Sequence, residues 1–466
     1  MSSAATDVII AGGGIAGLAT GAILANRGLR VTVLEKSDQV GGKVKVIPYR
    51  GYRLPMGPHM FPREKLEEVA EKAGVELPMI EVRGHAYRFF NTVTGREYDF
   101  LHSADEPVST ILERIHLSRE DYEQIRVILS DLDPESWRGK TVAEWLDASD
   151  FPSRAKQLLR KLGCWATENM LDAKEISMDL FSMGVFALVT GGRVDWTEYA
   201  NDQDLPEALA RRIEEKGGEV LRSNEVQQVL IENRHCRGVI VKDFRTEDTR
   251  RLEAPLYVWN IPLYEALAEG ILDPAKFPKE WVEGALAIEP HVCGYVLTWY
   301  GLERPVIDFV GGIYCFGEEP ETGAHIQNLG LVGAYSNDVP STAPPGKQLV
   351  LVYTYIEPEI KKDWKAIAER ERLGEDLIRR YFSVKGYPAV EEISEFKKRC
   401  VYRYSWTPYV YSRHYFGMPT IDGAGVENLF FVGHSVQSEM GRFGVDGAVE
   451  TALRLCETIA PTGGSR

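Results

Sequence analysis

The chain has 466 residues, 44% hydrophobic and 26% charged, enough for a large core and two or three domains of ordinary size. Its 69 acidic residues outnumber 54 basic ones, for a formal charge of −15. That field repels phosphate backbones, and the longest basic cluster is only Lys397-Lys398-Arg399, so a basic nucleic-acid module is excluded along with a coiled coil, a disordered tail protein and a small disulfide scaffold.

The first residues lack the basic segment of a secretory signal, and the apolar run from Val8 is broken by glycines. No stretch approaches the roughly 18 uninterrupted apolar residues of a spanning helix. A cytoplasmic protein is expected. The most apolar segment, 178–189, suits a buried core element or a substrate-tunnel wall, and peripheral contact with a membrane stays open. The six cysteines form no Cys-x-x-Cys pair and the nine histidines no zinc spacing, so buried free thiols and no metal are expected.

Residues 7–11 are a β-branched run that predicts a strand, followed at once by Gly12, Gly14 and Gly17 in the spacing G-x-G-x-x-G. The periodicity over 18–27 predicts a helix ended by Gly28, and 29–34 a second strand with Glu35 at its tip. Each type has a task at that spacing. Gly12 permits the tight turn, Gly14 lets backbone approach a pyrophosphate, and Gly17 lets the helix pack closely. The helix end favours phosphates, and Glu35 accepts hydrogen bonds from ribose hydroxyls. Strand, glycines, helix, strand and acid in that order predict a dinucleotide site. Further on, Gly41-Gly42-Lys43 and Gly57-Pro58-His59 mark backbone running beside a cofactor or simple hairpin turns; spacing leaves both readings standing.

Residues 64–74 predict a helix, 87–91 and 97–100 two strands, and 105–171 a mostly helical insertion with Trp145 and Trp165 in its core. A helix over 205–218, strands over 219–231 and 238–241, and a strand with an asparagine turn over 252–262 restore α/β character. Residues 265–415 form a second region. Its β-rich runs at 292–300, 306–309, 313–316 and 349–356 predict a sheet, with a helix over 363–382. Aromatic residues crowd 402–416, as a stacking surface or as core. Residues 426–433 predict a turn into a strand, 441–447 a glycine-rich turn, and 448–458 the last helix.

Residues 7–43 resemble the FAD-binding start of the flavoprotein superfamily that contains amine oxidases, protoporphyrinogen oxidase and phytoene desaturases. The Gly57-Pro58-His59 turn and the Pro345-Gly346-Lys347 turn between two strands are similar to the phytoene desaturase and carotenoid isomerase-like branch. The resemblance implies an α/β fold. A Rossmann-like FAD-binding domain is assembled from 1–83, 205–264 and 416–466. A mixed-sheet and helical α+β substrate domain with a helical insertion takes 84–204 and 265–415.

The implied contacts to FAD are Gly12, Gly14, Ile15, Ala16, Gly17, Glu35, Lys36, Gly41, Gly42, Lys43, Gly57, Pro58, His59, Val226, Asn260, Gly433, His434, Gly444 and Val445. No cysteine lies in 433–447, so the flavin is expected to be held non-covalently. Three departures stand out. Lys43 replaces the usual arginine, keeping charge but losing the bidentate fork. His434 replaces the usual aspartate or glutamate after the strand glycine, and Gly191-Gly192 lead into an acidic, aromatic detour instead of directly into a helix.

The implied function is two-electron chemistry with hydride transfer to flavin N5, desaturating or saturating a C–C bond in a hydrophobic, polyprenoid-type molecule. Amine oxidation is the second reading, and a flavin-bound isomerase, hydratase or binding protein the third. His59 is the acid–base candidate beside an equal structural reading, and Tyr335, Tyr404 and Tyr409 are pocket candidates. Only one dinucleotide fingerprint is present, so oxygen, a quinone or another soluble acceptor is expected to take the electrons.

Overall fold

The computed structural model describes residues 6–57, 60–61, 63–82, 86–99, 119–137, 139–166, 176–178, 181, 198–201, 205–317, 328–406, 417–438 and 444–459. The strand Val8–Ala11 is buried along its whole length and lies at the centre of a five-stranded sheet. The order is Glu219–Arg222, Val31–Glu35, Val8–Ala11, Leu256–Trp259, Leu429–Phe431, all parallel. Strands covered on both faces read as continuous apolar runs, which is why Val8, Ile9 and Ile10 show no alternation. The helix Ile15–Asn26 follows the central strand and packs between the helices Leu205–Glu215 and Gly444–Ile459. A three-stranded antiparallel sheet, Asn224–Glu232, His235–Asp243 and Thr249–Leu252, adds Val226, Val229 and Val241 to the same core.

The second layer is a seven-stranded mixed sheet. Its order is Ser394–Trp406, Cys293–Leu302, Gln348–Ile356, Asn328–Gly333, Gly311–Phe316, Ala86–Asn91, Glu97–Asp99. Alternate residues serve two cores: Tyr300, Val350 and Val352 meet the helix Trp364–Lys385, while Trp299, Leu349 and Leu351 face Tyr52, Leu54 and Tyr335. Of the helical insertion, Arg119–Ser130, Val142–Ala148 and Ser153–Ala166 are helices, and Trp145 is buried as expected. The side chain of Trp165 lies outside the described residues. Among the described residues, the cysteines are free, no helix is long and apolar enough to cross a membrane, and no cluster of metal-binding side chains occurs.

The sheet assembled from distant stretches matches the expected fold, but three details differ. Residues 306–309 are not a strand. Their backbone is satisfied by side chains instead: Gln348 Oε1 accepts from the amides of Val306 (3.0 Å) and Ile307 (3.1 Å), and Asn337 Nδ2 donates to the carbonyls of Ile307 (2.9 Å) and Phe309 (2.8 Å). The last helix starts at Gly444, so Val445 and Asp446 belong to its first turn. The layers also divide differently, because Ala266, Leu272, Trp281 and Ala285 join the first core whereas Tyr52, Leu54, Met56 and Val82 join the second.

Gln348→Leu removes the acceptor for two amides from a fully buried position. It should cost roughly 2–4 kcal/mol, read as a lower urea midpoint with the flavin spectrum of the folded protein unchanged.

Candidate functional site

The central strand ends where Gly12 turns with φ of +99°, its amide donating to Leu34 O at 2.8 Å. That left-handed backbone strains any residue with a Cβ. The helix then opens at Ile15 with Gly14 as its cap, without a side-chain cap bond and without an acid in its first turn. Its uncapped amides and positive dipole end suit an anionic phosphate.

Glu35 holds the loop from the second strand. Oε2 accepts from the Gly13 amide at 2.9 Å and Oε1 from the Ser37 amide at 2.8 Å. A carboxylate offers about four acceptor positions, so these bonds leave capacity for ribose hydroxyls. The Gly41 amide donates to Gly13 O at 2.7 Å, which places Gly42 and Lys43 beside the loop.

Asn260 joins these parts to the end of the chain. Its backbone amide donates to Ala11 O at 2.8 Å and its Nδ2 to Gly12 O at 3.1 Å. A Cβ on Gly14 would come within 2.8 Å of Asn260 Nδ2, and one on Gly433 within 2.7 Å of Oδ1. A Cβ on Gly17 would overlap the Gly12 carbonyl oxygen and also press on Asn260. Three glycines thus make room for one amide.

Around this junction lies a cavity of about 440 Å³. It is lined by Gly12, Gly14, Ile15, Ala16, Glu35, Lys36, Gly41, Gly42, Lys43, Val226, Asn260, Gly433, His434, Gly444 and Val445, all singled out from the sequence. Gly17 stands behind the wall, and Gly57 is pressed against the Lys43 carbonyl. Pro58, His59 and Tyr409 lie outside the described residues, as does the side chain of Tyr404. Tyr335 is buried in the second-layer core beside Tyr52 and Trp299, away from this lining. A glycine wall in which a Cβ on Gly14, Gly41 or Gly433 would clash, an uncapped helix end and a carboxylate beyond it fit an extended dinucleotide such as FAD.

Sequence reasoning passed over Glu225, Glu265 and Tyr402, which also line the cavity. Tyr402 opens the aromatic run that suggested Tyr404 and Tyr409, a signal that was present. Glu265 carried none, since only the fold brings it near Lys43.

Two of the departures meet at the cavity. Lys43 Nζ lies 3.2 Å from His434 Nε2, and Tyr264 Oη lies 3.4 Å from the same nitrogen. An ammonium can only donate, so Nε2 accepts and the imidazole proton sits on Nδ1. Burial lowers the Lys43 pKa to about 8, opposed by the Glu265 charge. Burial and then the Lys43 charge push His434 well below its usual value, so this ring is neutral near pH 7.

The second layer reaches the site through tyrosines. Trp299 Nε1 donates to Pro55 O (3.1 Å), Tyr295 Oη to Met56 O (3.0 Å) and Tyr353 Oη to Gly57 O (3.3 Å), so three successive carbonyls are held from one sheet. Tyr295 packs edge-on to Tyr353 and tilted on Tyr402, each at 5.3 Å between ring centroids. Burial raises the pKa of Tyr353 and of Tyr402, which keeps these phenols neutral.

A Rossmann-type sheet with this cavity and an aromatic second layer is the architecture of a flavoprotein oxidoreductase. The model of the family described as flavin containing amine oxidoreductase matches residues 15–460; the chain belongs to this family, and its cavity fits FAD. A phytoene desaturase of Cercospora nicotianae is 25% identical over 398 residues, 76% of this chain and 62% of that protein. Amine oxidase [flavin-containing] B of Homo sapiens is 31% identical over 168 residues, 33% of this chain and 31% of that protein. The chain therefore spans under two thirds of either relative. An oxidoreductase of Methanosarcina mazei shares the fold, with a TM-score of 0.70 at 18% identity, covering 97% of this chain and 100% of that one.

Gly17→Ala should lower stability by roughly 1–3 kcal/mol through overpacking. It should also reduce the flavin retained on purification, both measured by thermal unfolding and by the ratio of flavin to protein absorbance.

Proposed function

We propose that this enzyme oxidises an amine at the carbon bonded to nitrogen. The supporting observation is Tyr402 on the cavity wall, backed by Tyr295 and Tyr353 as a neutral aromatic surface where the two layers meet. Aromatic faces hold apolar substituents and attract a cationic amine as it approaches, without offering a competing acid or base. The family's description and the partial likeness to the human amine oxidase point the same way.

In this reading Gly12, Gly14, Gly41, Gly42, Gly433 and Val445 hold FAD non-covalently against the backbone, and Glu35 holds the adenosine ribose. Bound FAD supplies a two-electron acceptor. The substrate loses a hydride from carbon and a proton from nitrogen, leaving a C=N bond that water hydrolyses. Dioxygen or a quinone then takes the electrons from the reduced enzyme. The tyrosine wall orients the substrate, and the dry second-layer core behind it excludes water.

A second reading, desaturation of a C–C bond in an apolar, polyprenoid-type molecule, is favoured by the long alignment to the Cercospora phytoene desaturase. Anaerobic mixing of the flavin-loaded protein with a panel of amines and of apolar polyenes separates the two. Amines should bleach the flavin's visible absorbance and polyenes should not. Bleaching by polyenes alone would establish the second reading, and bleaching by neither would leave redox-neutral chemistry. Tyr402→Ala should lower the amine bleaching rate about tenfold, near 1.4 kcal/mol, with Tyr402→Phe close to wild type.

A further inference from the structure

We propose that Thr451, which stands in the last helix behind the cavity lining, is a positioning residue for FAD: its hydroxyl holds the turn Gly433–His434 in the form that closes the cavity wall. The inference rests on FAD occupying this cavity and is independent of which substrate is oxidised.

The geometry carries it. Leu429–Phe431 is the edge strand of the first sheet, so successive amides point away from the neighbouring strand and toward it by turns. Phe431 N points away and donates to Ile421 O at 2.9 Å, and Val432 N points inward and donates to Trp259 O at 2.9 Å. The next amide, that of Gly433, donates to Thr451 Oγ1 at 2.9 Å. The same hydroxyl donates its own proton to Ala448 O at 2.7 Å. Gly433 and Ala448 both line the cavity, so one fully buried oxygen ties the tip of the strand to the opening of the last helix.

A tie matters at this position because Gly433 turns at φ of +102°, and a glycine reaches other backbone regions about as readily. Val436 N donates to Gly433 O at 3.1 Å, so the orientation of this one residue is passed on to the turn that carries His434. With the hydroxyl present, the Gly433 amide is satisfied before FAD arrives and the wall is formed in advance. With a methyl in its place, the amide is satisfied only when the glycine rotates toward water in the empty cavity. FAD then meets the closed wall in a fraction of the molecules, and its apparent affinity falls by that fraction.

The test titrates FAD into deflavinated full-length protein, reading bound flavin by absorbance after ultrafiltration, with thermal unfolding of the same deflavinated samples. Thr451→Val keeps the volume and removes the hydroxyl, and its Kd for FAD should rise about tenfold, on the scale of one buried hydrogen bond. Thr451→Ser keeps the hydroxyl and loses a buried methyl, so it should unfold at a lower temperature than wild type yet bind FAD with the wild-type Kd. An unchanged Kd in Thr451→Val, or an equal rise in Thr451→Ser, would overturn the role, since the hydroxyl would then hold the fold and nothing more. Wild type alone gives a second reading that does not depend on either variant folding. The Gly433 amide of the deflavinated protein should exchange its hydrogen slowly, and exchange at the rate of an open loop would also overturn the role. Absence of FAD binding by wild type would instead sink the assignment of the cavity.

Discussion

The amide of Asn260 is the point on which the first layer depends. Three stretches of chain that begin hundreds of residues apart converge there: the loop Gly12–Gly17, the end of the strand Leu256–Trp259 and the tip at Gly433. Main-chain bonds bring them side by side, with Asn260 donating to Ala11 O and Val432 to Trp259 O at 2.9 Å. The side-chain amide then fills the space that three missing Cβ atoms leave. A shape so tightly shared is specific because interiors tolerate little change in volume. The cavity's outline follows from that packing, and the loop needs Glu35 only to fix its second edge.

The two layers are joined by hydrogen bonds as well as by apolar contact. Trp299, Tyr295 and Tyr353 rise from adjacent strands of the second sheet and hold the carbonyls of Pro55, Met56 and Gly57. Gly57 in turn lies against the Lys43 carbonyl, where no side chain would fit. The aromatic wall and the cofactor loop therefore share a single backbone segment between them. A buried donor left without its carbonyl would cost about as much as the bond is worth or more, so the spacing between aromatic wall and glycine loop is set by geometry and not by a flexible linker.

Much of this was legible in the sequence, because the rules that place Gly12, Gly14, Gly17 and Glu35 are local: a turn, a close approach, a helix end and an acid one strand later. The same locality explains the misses. Residues 306–309 carry a strand's composition, yet Gln348 and Asn337 satisfy their backbone from elsewhere in the chain. Gly444 and Gly447 are weak helix formers, so the first turn of the last helix carries a loop's composition. Lys43 and His434 each depart from the family's pattern, but nothing in their spacing says that they touch. Contacts of that kind belong to topology.

The strand order has a consequence for how the molecule is made. The central strand and glycine loop leave the ribosome well before Gly433 and the helix Gly444–Ile459. Until they arrive, one edge of the sheet is unpaired beside Leu256–Trp259 and the cavity lacks the wall formed by His434, Gly444 and Val445. The cavity is thus completed only once that helix has been made. A nascent chain stalled before that point carries the glycine loop of a dinucleotide site without the wall that completes the cavity.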